Sequence, residues 1–510
     1  MPELRVSIAQ HYHERTKYDP QTLASKSHYW DWENQPVPFK EYKIGTSVDL
    51  KPFLIDQRDL LAEDPETSWW QRLSRLLFCS YGLTGMIPTA GSPVYLRAAP
   101  SAGGLYPAEV YLVSRGTPLL PAGLYNYQPK THSLLHFWDS DVWQKLQSAC
   151  FWHPILDHTQ MAVVTTAVFF RSAWRYQDRA YRRIFLDTGH LLGNIELACA
   201  LNDYRPHLIG GFADAALNQL LYLDPEQEGA IAVIPLADLL EVEQNLPLSV
   251  TTLPSSTQTE YPNIPDGELL SYFHQATQIQ PHTVFKKAPP RTNLEQAQPD
   301  KYNFPFCLKV STLSPPISWG EDLDALQDTM LRRRSTRAYS GESITVAELK
   351  ALLDFTYQPQ HYIAQELDGS PDYFVLNSIQ TFIAVSGVIG LDAGCYYYAP
   401  QTQELRQIRF KNFRRELHYL CLGQDLGRDA AAVVFHTADL ETAVAQYGDR
   451  VYRYLHMDAG HLGQKLNLAG IHLGLGVSGI GGFFDNQVNE VLGIPVDEAV
   501  LYITTLGRPQ

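Results

Sequence analysis

Residues 332–339 read Arg-Arg-Arg-Ser-Thr-Arg-Ala-Tyr. In an extended segment Arg333, Ser335 and Arg337 alternate and project to one side. Guanidinium groups grip phosphate through paired donors and a hydroxyl adds another, so this spacing reads as a phosphate clamp. A second stretch, "LRAAPSAGGLYPAEVYLV" at 96–113, places Pro100, Ser101, Ala102, Gly103 and Gly104 before a strand-like run. Two adjacent glycines raise the entropy cost of ordering the chain, which implies that something bulky must lie against bare backbone there. Metal chemistry is not expected: the six cysteines form no Cys-x-x-Cys pair and the 17 histidines no His-Glu-x-x-His array. "GLGVSG" at 474–479 fits Gly-x-Gly-x-x-Gly in form. It follows a helical pattern and leaves too little chain for a βαβ unit, so a dinucleotide site is rejected.

The elements that position these groups come in duplicate. "GLYNYQPKTHSLL" from Gly123 is answered by "GCYYYAPQTQELR" from Gly394, and "YQDRAYRR" from Tyr176 by "YGDRVYRY" from Tyr447. "DTGHLLGNIELA" from Asp187 is answered by "DAGHLGQKLNLA" from Asp458, and "LIGGFADAALNQLL" from Leu208 by "GIGGFFDNQVNEVL" from Gly479. All four intervals are 271 residues. The expected organisation is an N-terminal extension (1–70), copy one (71–241), an extended linker (242–320) and copy two (321–510). Residues 242–305 are rich in Pro, Thr, Gln and Ser, which suits a connector on the surface. Two such copies pack most simply about a pseudo-twofold axis, as a dimer within one chain. "AEVYLV", "TFIAVSG", "MAVVTTAVFF" and "RDAAAVVFH" read as strands, and the stretches around His190 and His461 as long helices apolar on most faces. Those two histidines read as packed core residues.

Bulk composition limits the partners. The chain has 510 residues, 45% hydrophobic and 19% charged, with a net charge of −15 and a pI of about 5.6. That acidity argues against a nucleic-acid partner. The N-terminus has no apolar leader and the chain no run of 18 apolar residues, so a cytoplasmic protein without a membrane span is expected.

The copies differ where chemistry is expected. Counting back 271 residues from Arg333, Ser335 and Arg337 gives Ala62, Asp64 and Glu66, within "AEDPE", which would repel a phosphate. Counting forward from Ser101, Gly103 and Gly104 gives Asp372, Phe374 and Val375, which have bulk in place of bare backbone. Arg508 corresponds to Ala237.

This pattern resembles the nitroreductase family of FMN-dependent oxidoreductases, and within it the SagB/ThcOx-type dehydrogenases. The likeness rests on "RRSTR" at 333–337, "RAAPSAGGLYP" at 97–107, "YGDRVYRYLHMDAGH" at 447–461 and "GIGGFFDNQVNEVLGIP" at 479–495. It implies an α+β fold, a central mixed sheet flanked by helices in each copy, and one FMN held between the copies. By this likeness Arg333, Ser335, Arg337 and Arg508 hold the phosphate and polar end, while Ile480, Gly481 and Gly482 lie along the ring near N5. Pro100, Ser101, Ala102 and Gly103 cover the ring from copy one, and the mirror-image site is empty. SagB-like enzymes carry a catalytic Lys-Tyr pair, for which this chain has Arg175-Tyr176 in copy one and Gln446-Tyr447 in copy two. Three activities are compatible: dehydrogenation of azoline-containing peptides, NAD(P)H-dependent reduction of nitro or quinone compounds, and non-catalytic FMN binding or scaffolding. The expected substrate is accordingly a small molecule or a peptide.

Overall fold

Strands and helices recur in the same spatial order in the two halves of the chain. The structure, a computed structural model, describes residues 5–25, 31–54, 64–89, 93–241, 250–280, 300–305 and 307–510. One seven-stranded sheet runs, edge to edge, Thr46–Asp49, Ser133–Asp139, Gly123–Gln128, Ala108–Ser114, Met161–Val168, Glu228–Asp238 and Tyr204–Pro206. The other runs Lys309–Ser311, Glu404–Arg409, Gly394–Ala399, Gln380–Val385, Ala432–Asp439, Glu498–Gly507 and Gly476–Ile480. The central strands of both are buried along nearly their whole length, as their β-branched runs require.

This is the α+β class expected, with one change: all pairings in both sheets are antiparallel rather than mixed. The reason lies in the connections. Val168 at the end of one strand faces Glu228 at the start of its neighbour, so the intervening helices return the chain to the same end of the sheet.

The helices Ala180–Ala200 and Val451–His472 are buried on almost every face because each packs on the other. They cross at Gly189 and Gly460. A methyl on either would overlap a backbone carbonyl of the opposite helix, Met457 or Leu186. His190 bonds to Gln464 and Tyr502, both at 2.8 Å, and His461 to Glu196 at 2.5 Å. Both are core histidines, and burial lowers the pKa of each.

Two ion clusters lock the copies together. Asp485 of copy two takes Arg179 (2.9 Å) and Arg182 (2.7 Å) from copy one. Asp214 of copy one takes Arg450 (2.7 Å) and Arg453 (2.9 Å) from copy two. The same clusters correct the reading of 1–70 and 242–320 as extension and extended linker. Helix Ile8–Arg15 leads to Tyr18, whose amide donates to Asp485 (2.9 Å), and helix Leu269–Ala276 leads to Ile279, whose amide donates to Asp214 (2.9 Å). Arg182 donates to the Thr16 hydroxyl (3.0 Å) as Arg453 does to that of Thr277 (2.9 Å). Tyr12 and Phe273 stack face to face with centroids 4.4 Å apart. Lys40 pairs with Glu228 and Lys301 with Glu498. The repeat therefore begins near residue 8, and the averaged polar composition of 242–305 hid a buried amphipathic helix.

Candidate functional site

The Pro-Ser-Ala-Gly-Gly turn is fixed from below by Asp187 of the helix Ala180–Ala200. Ser101 Oγ donates to Asp187 Oδ2 at 2.6 Å and the Ala102 amide lies 3.1 Å from both carboxylate oxygens. Burial pushes the Asp187 carboxyl up to about 7, with those hydrogen bonds and nearby Arg183 pulling it back. Held this way, Gly103 adopts a left-handed φ of +67°. A Cβ there would sit 2.9 Å from the Tyr176 hydroxyl and 3.4 Å from Arg175 Cδ. The Arg175-Tyr176 pair, at the end of helix Phe169–Tyr176, is thus set directly against the turn.

Copy two reaches the same turn from the other side. Arg333 Nε donates to the Ala98 carbonyl (2.7 Å) and Nη2 to that of Arg97 (3.1 Å). Its Nη1 is buried without a partner, and burial brings the guanidinium pKa down to about 10. Arg334 clasps Thr84 on the ribbon Leu83–Ile87/Val94–Arg97 at 2.9 and 3.1 Å. From there the chain crosses the end of the second sheet: the Thr336 amide donates to Val477 (2.9 Å), and the Ser340 amide to Arg508 (3.0 Å). Ser335 is half-buried. Arg337 is exposed and makes no hydrogen bond or ion pair among the described residues. The Arg508 side chain is engaged by Glu348 at 2.8 Å.

Beside this segment, strand Gly476–Ile480 ends in Ile480-Gly481-Gly482, where the two glycines stay partly open. The Arg183 guanidinium of copy one lies against Gly481, so close that a methyl on that glycine would overlap it. It also sits over the Tyr176 ring, 4.7 Å from its centroid. Gly103, Tyr176, Arg183 and Gly481 therefore form one continuous wall between the copies. The unpartnered Arg333 Nη1 and Arg183 Nε, together with the bare glycines, fit a flat, acceptor-rich anion such as FMN.

The pseudo-symmetric place is filled by protein. Ile209-Gly210-Gly211 matches Ile480-Gly481-Gly482, but a methyl on Gly210 would lie 2.7 Å from both the Phe374 and Tyr454 rings, and one on Gly211 2.5 Å from Leu253. Phe374 and Tyr454 stack with centroids 5.4 Å apart, and the Tyr454 hydroxyl lies 3.1 Å from the carbonyl oxygens of Gly210 and Leu253.

Two correspondences drawn from the constant interval change. Asp458 accepts from the amides of Phe374 (3.0 Å) and Val375 (2.7 Å), so Phe374 matches Ala102 and Val375 matches Gly103, one residue displaced. Asp64 caps helix Pro65–Tyr81, which packs on Ala180–Ala200 as Val346–Tyr357 packs on Val451–His472. These helices have 17 and 12 residues, so the 271-residue interval fails there. The copy-one counterpart of 333–337 precedes Asp64, and Ala62 lies outside the described residues. Sequence reading also missed Arg183 and Asp187. The signal for Arg183 stands in the repeat itself, where "YQDRAYRR" ends in Arg and "YGDRVYRY" in Tyr454.

Among the described residues no helix is long and apolar enough to cross a membrane. The nitroreductase family model matches residues 74–237 and again 330–508. A nitroreductase-like protein of Methanocaldococcus jannaschii is 31% identical over 183 residues, 36% of this chain and 90% of its own. The crystal structure of a nitroreductase-like protein from Anabaena variabilis superposes with a TM-score of 0.93 at 71% identity, covering 99% of this chain and all of that one. The chain thus belongs to the nitroreductase family and carries the family's domain twice.

Proposed function

We propose that this chain is an FMN-dependent oxidoreductase with one FMN held between its copies. The observation that supports it best is the convergence of Gly103, Tyr176, Arg183 and Gly481 on one inter-copy wall while the sister wall is sealed. Arg333, Ser335, Arg337 and Arg508 would hold the phosphate and polar end, and Ile480, Gly481 and Gly482 would line the ring. Pro100, Ser101, Ala102 and Gly103 would cover it. When bound, FMN supplies hydride transfer through N5.

The residues beside the turn favour reduction of an acceptor. Burial raises the Tyr176 phenol, so it keeps its proton at neutral pH. Arg175 is a permanent cation, so the pair orients and protonates rather than abstracts. That suits a nitro or quinone acceptor with NAD(P)H as reductant. Azoline dehydrogenation in the SagB manner is the second reading, favoured by the Tyr176 position beside the glycine turn; it lacks the lysine base.

The test is flavin extracted per chain, followed by anaerobic mixing with NADPH or NADH and a record of flavin absorbance. One flavin per chain, bleached by a nicotinamide and restored by a nitroarene or quinone, is expected. A ratio of two refutes the asymmetric site. Bleaching by an azoline peptide but not by nicotinamides selects the second reading, and no bleaching by either indicates a binding protein.

A further inference from the structure

Arg183 is 6% exposed; its Nε is buried without a hydrogen-bond partner, and its Nη groups make no hydrogen bond or ion pair with the described residues and reach solvent. Among the described residues its guanidinium lies against the Gly481 backbone and the face of Tyr176, with the Asp187 carboxyl close enough to feel its charge. A guanidinium has five donors and no acceptor, and burying even one of them without an acceptor is costly. The matching residue across the pseudo-axis is Tyr454. Tyr454 is fully buried and stacked on Phe374, and its hydroxyl lies 3.1 Å from the Gly210 and Leu253 carbonyls. One half-site therefore carries a side chain that lacks partners, and the other a side chain that needs none.

We infer that position 183/454 decides which half-site takes the flavin: Arg183 contacts the acceptor-rich edge of the ring, and Tyr454 shuts the sister site. This rests on the FMN reading above. Guanidinium donors match carbonyl and ring-nitrogen acceptors and also stack on planar rings, so a bound flavin supplies what Arg183 lacks. A tyrosine at 183 would repeat the closed arrangement, its ring over Gly481.

The experiment compares the purified flavoprotein with Arg183→Lys, Arg183→Met and Arg183→Tyr, measuring flavin per chain and flavin release on dilution. Far-UV circular dichroism and thermal midpoints check the fold. Arg183→Tyr should retain under about one-tenth of a flavin per chain, and Arg183→Met should bind about tenfold more weakly, the loss of one charge-assisted contact. Arg183→Lys should stay within a few-fold of wild type. Should Arg183→Tyr misfold, the Arg183→Met affinity decides. Wild-type retention in both Met and Tyr variants overturns the inference alone; a wild-type chain that takes no FMN overturns the functional reading and this inference with it.

Discussion

Arg333→Ala separates a structural bolt from a cofactor ligand. The side chain is 3% exposed and gives two hydrogen bonds to the carbonyls of Arg97 and Ala98, which lead into the turn. Hydrogen bonds from a charged donor contribute about 1.5–3 kcal/mol each, so removing two costs about 3–6 kcal/mol. Against this stands the desolvation of a buried cation. A guanidinium brought from 12.5 to about 10 is disfavoured in its charged form by about 3 kcal/mol, which the alanine relieves. The net loss of global stability should therefore be small, about 0–3 kcal/mol. Flavin binding should suffer more, since the unpartnered Nη1 and the fixed turn are both lost; a fall of about ten- to a hundredfold is expected. Urea denaturation of the flavin-free protein gives the first quantity and flavin fluorescence titration the second. A stability loss above about 4 kcal/mol with unchanged flavin affinity would refute the reasoning and reduce Arg333 to a bolt.

Two further outcomes concern the shared core. Burial raises the Asp458 carboxyl to about 7 from 3.8, so the folded protein holds a proton that the unfolded chain releases, and the penalty grows between those values. Relative to wild type, Asp458→Asn should gain stability as pH rises from 5 to 7, by up to about 1.4 kcal/mol per unit, and level off above 7; denaturation midpoints falling relative to wild type over that range would contradict it. Gly189→Val should force apart the helices that cross at Gly460, costing about 3 kcal/mol or more in a thermal melt; an unchanged midpoint would contradict it.

What the sequence disclosed, and what it withheld, follows from how each feature is encoded. The duplication, the central strands and the core histidines stand out because a constant interval and apolar runs are properties of contiguous residues. The helices Ile8–Arg15 and Leu269–Ala276 do not: Tyr12, His13 and Thr16 match Phe273, His274 and Thr277 at an interval of 261 rather than 271, and His13 and Thr16 are the only identities over residues 8–18. The Arg179/Arg182 pairing with Asp485 was present as letters in both repeats, but only folding shows that each cluster joins opposite copies. The carboxylates of "AEDPE" misled for a related reason. A helix longer by five residues shifts the interval just where the clamp would be compared.

The asymmetry between the half-sites is better explained by packing than by loss. A pocket left empty in a buried interface would forfeit dispersion contacts and expose glycine backbone to no partner. Here Phe374, Tyr454 and Leu253, exposed by 7, 0 and 3%, close over Gly210 and Gly211, and the Thr251 carbonyl takes the Gly210 amide at 2.7 Å. Leu253 and Thr251 belong to the stretch that joins the copies, a segment that two separate subunits could not place once and only once. Joining the copies in one chain supplies a strand of backbone to a single half-site, and that breaks the twofold equivalence before any catalytic residue changes. At the other half-site no described segment takes that place, and Gly481 faces the Arg183 guanidinium instead. On this account a plug variant such as Leu253→Gly should loosen the sister site without creating a second flavin site, because Tyr454 still satisfies itself there. Flavin per chain should stay at one while the thermal midpoint falls; a rise toward two would show that the joining segment alone keeps the second site shut.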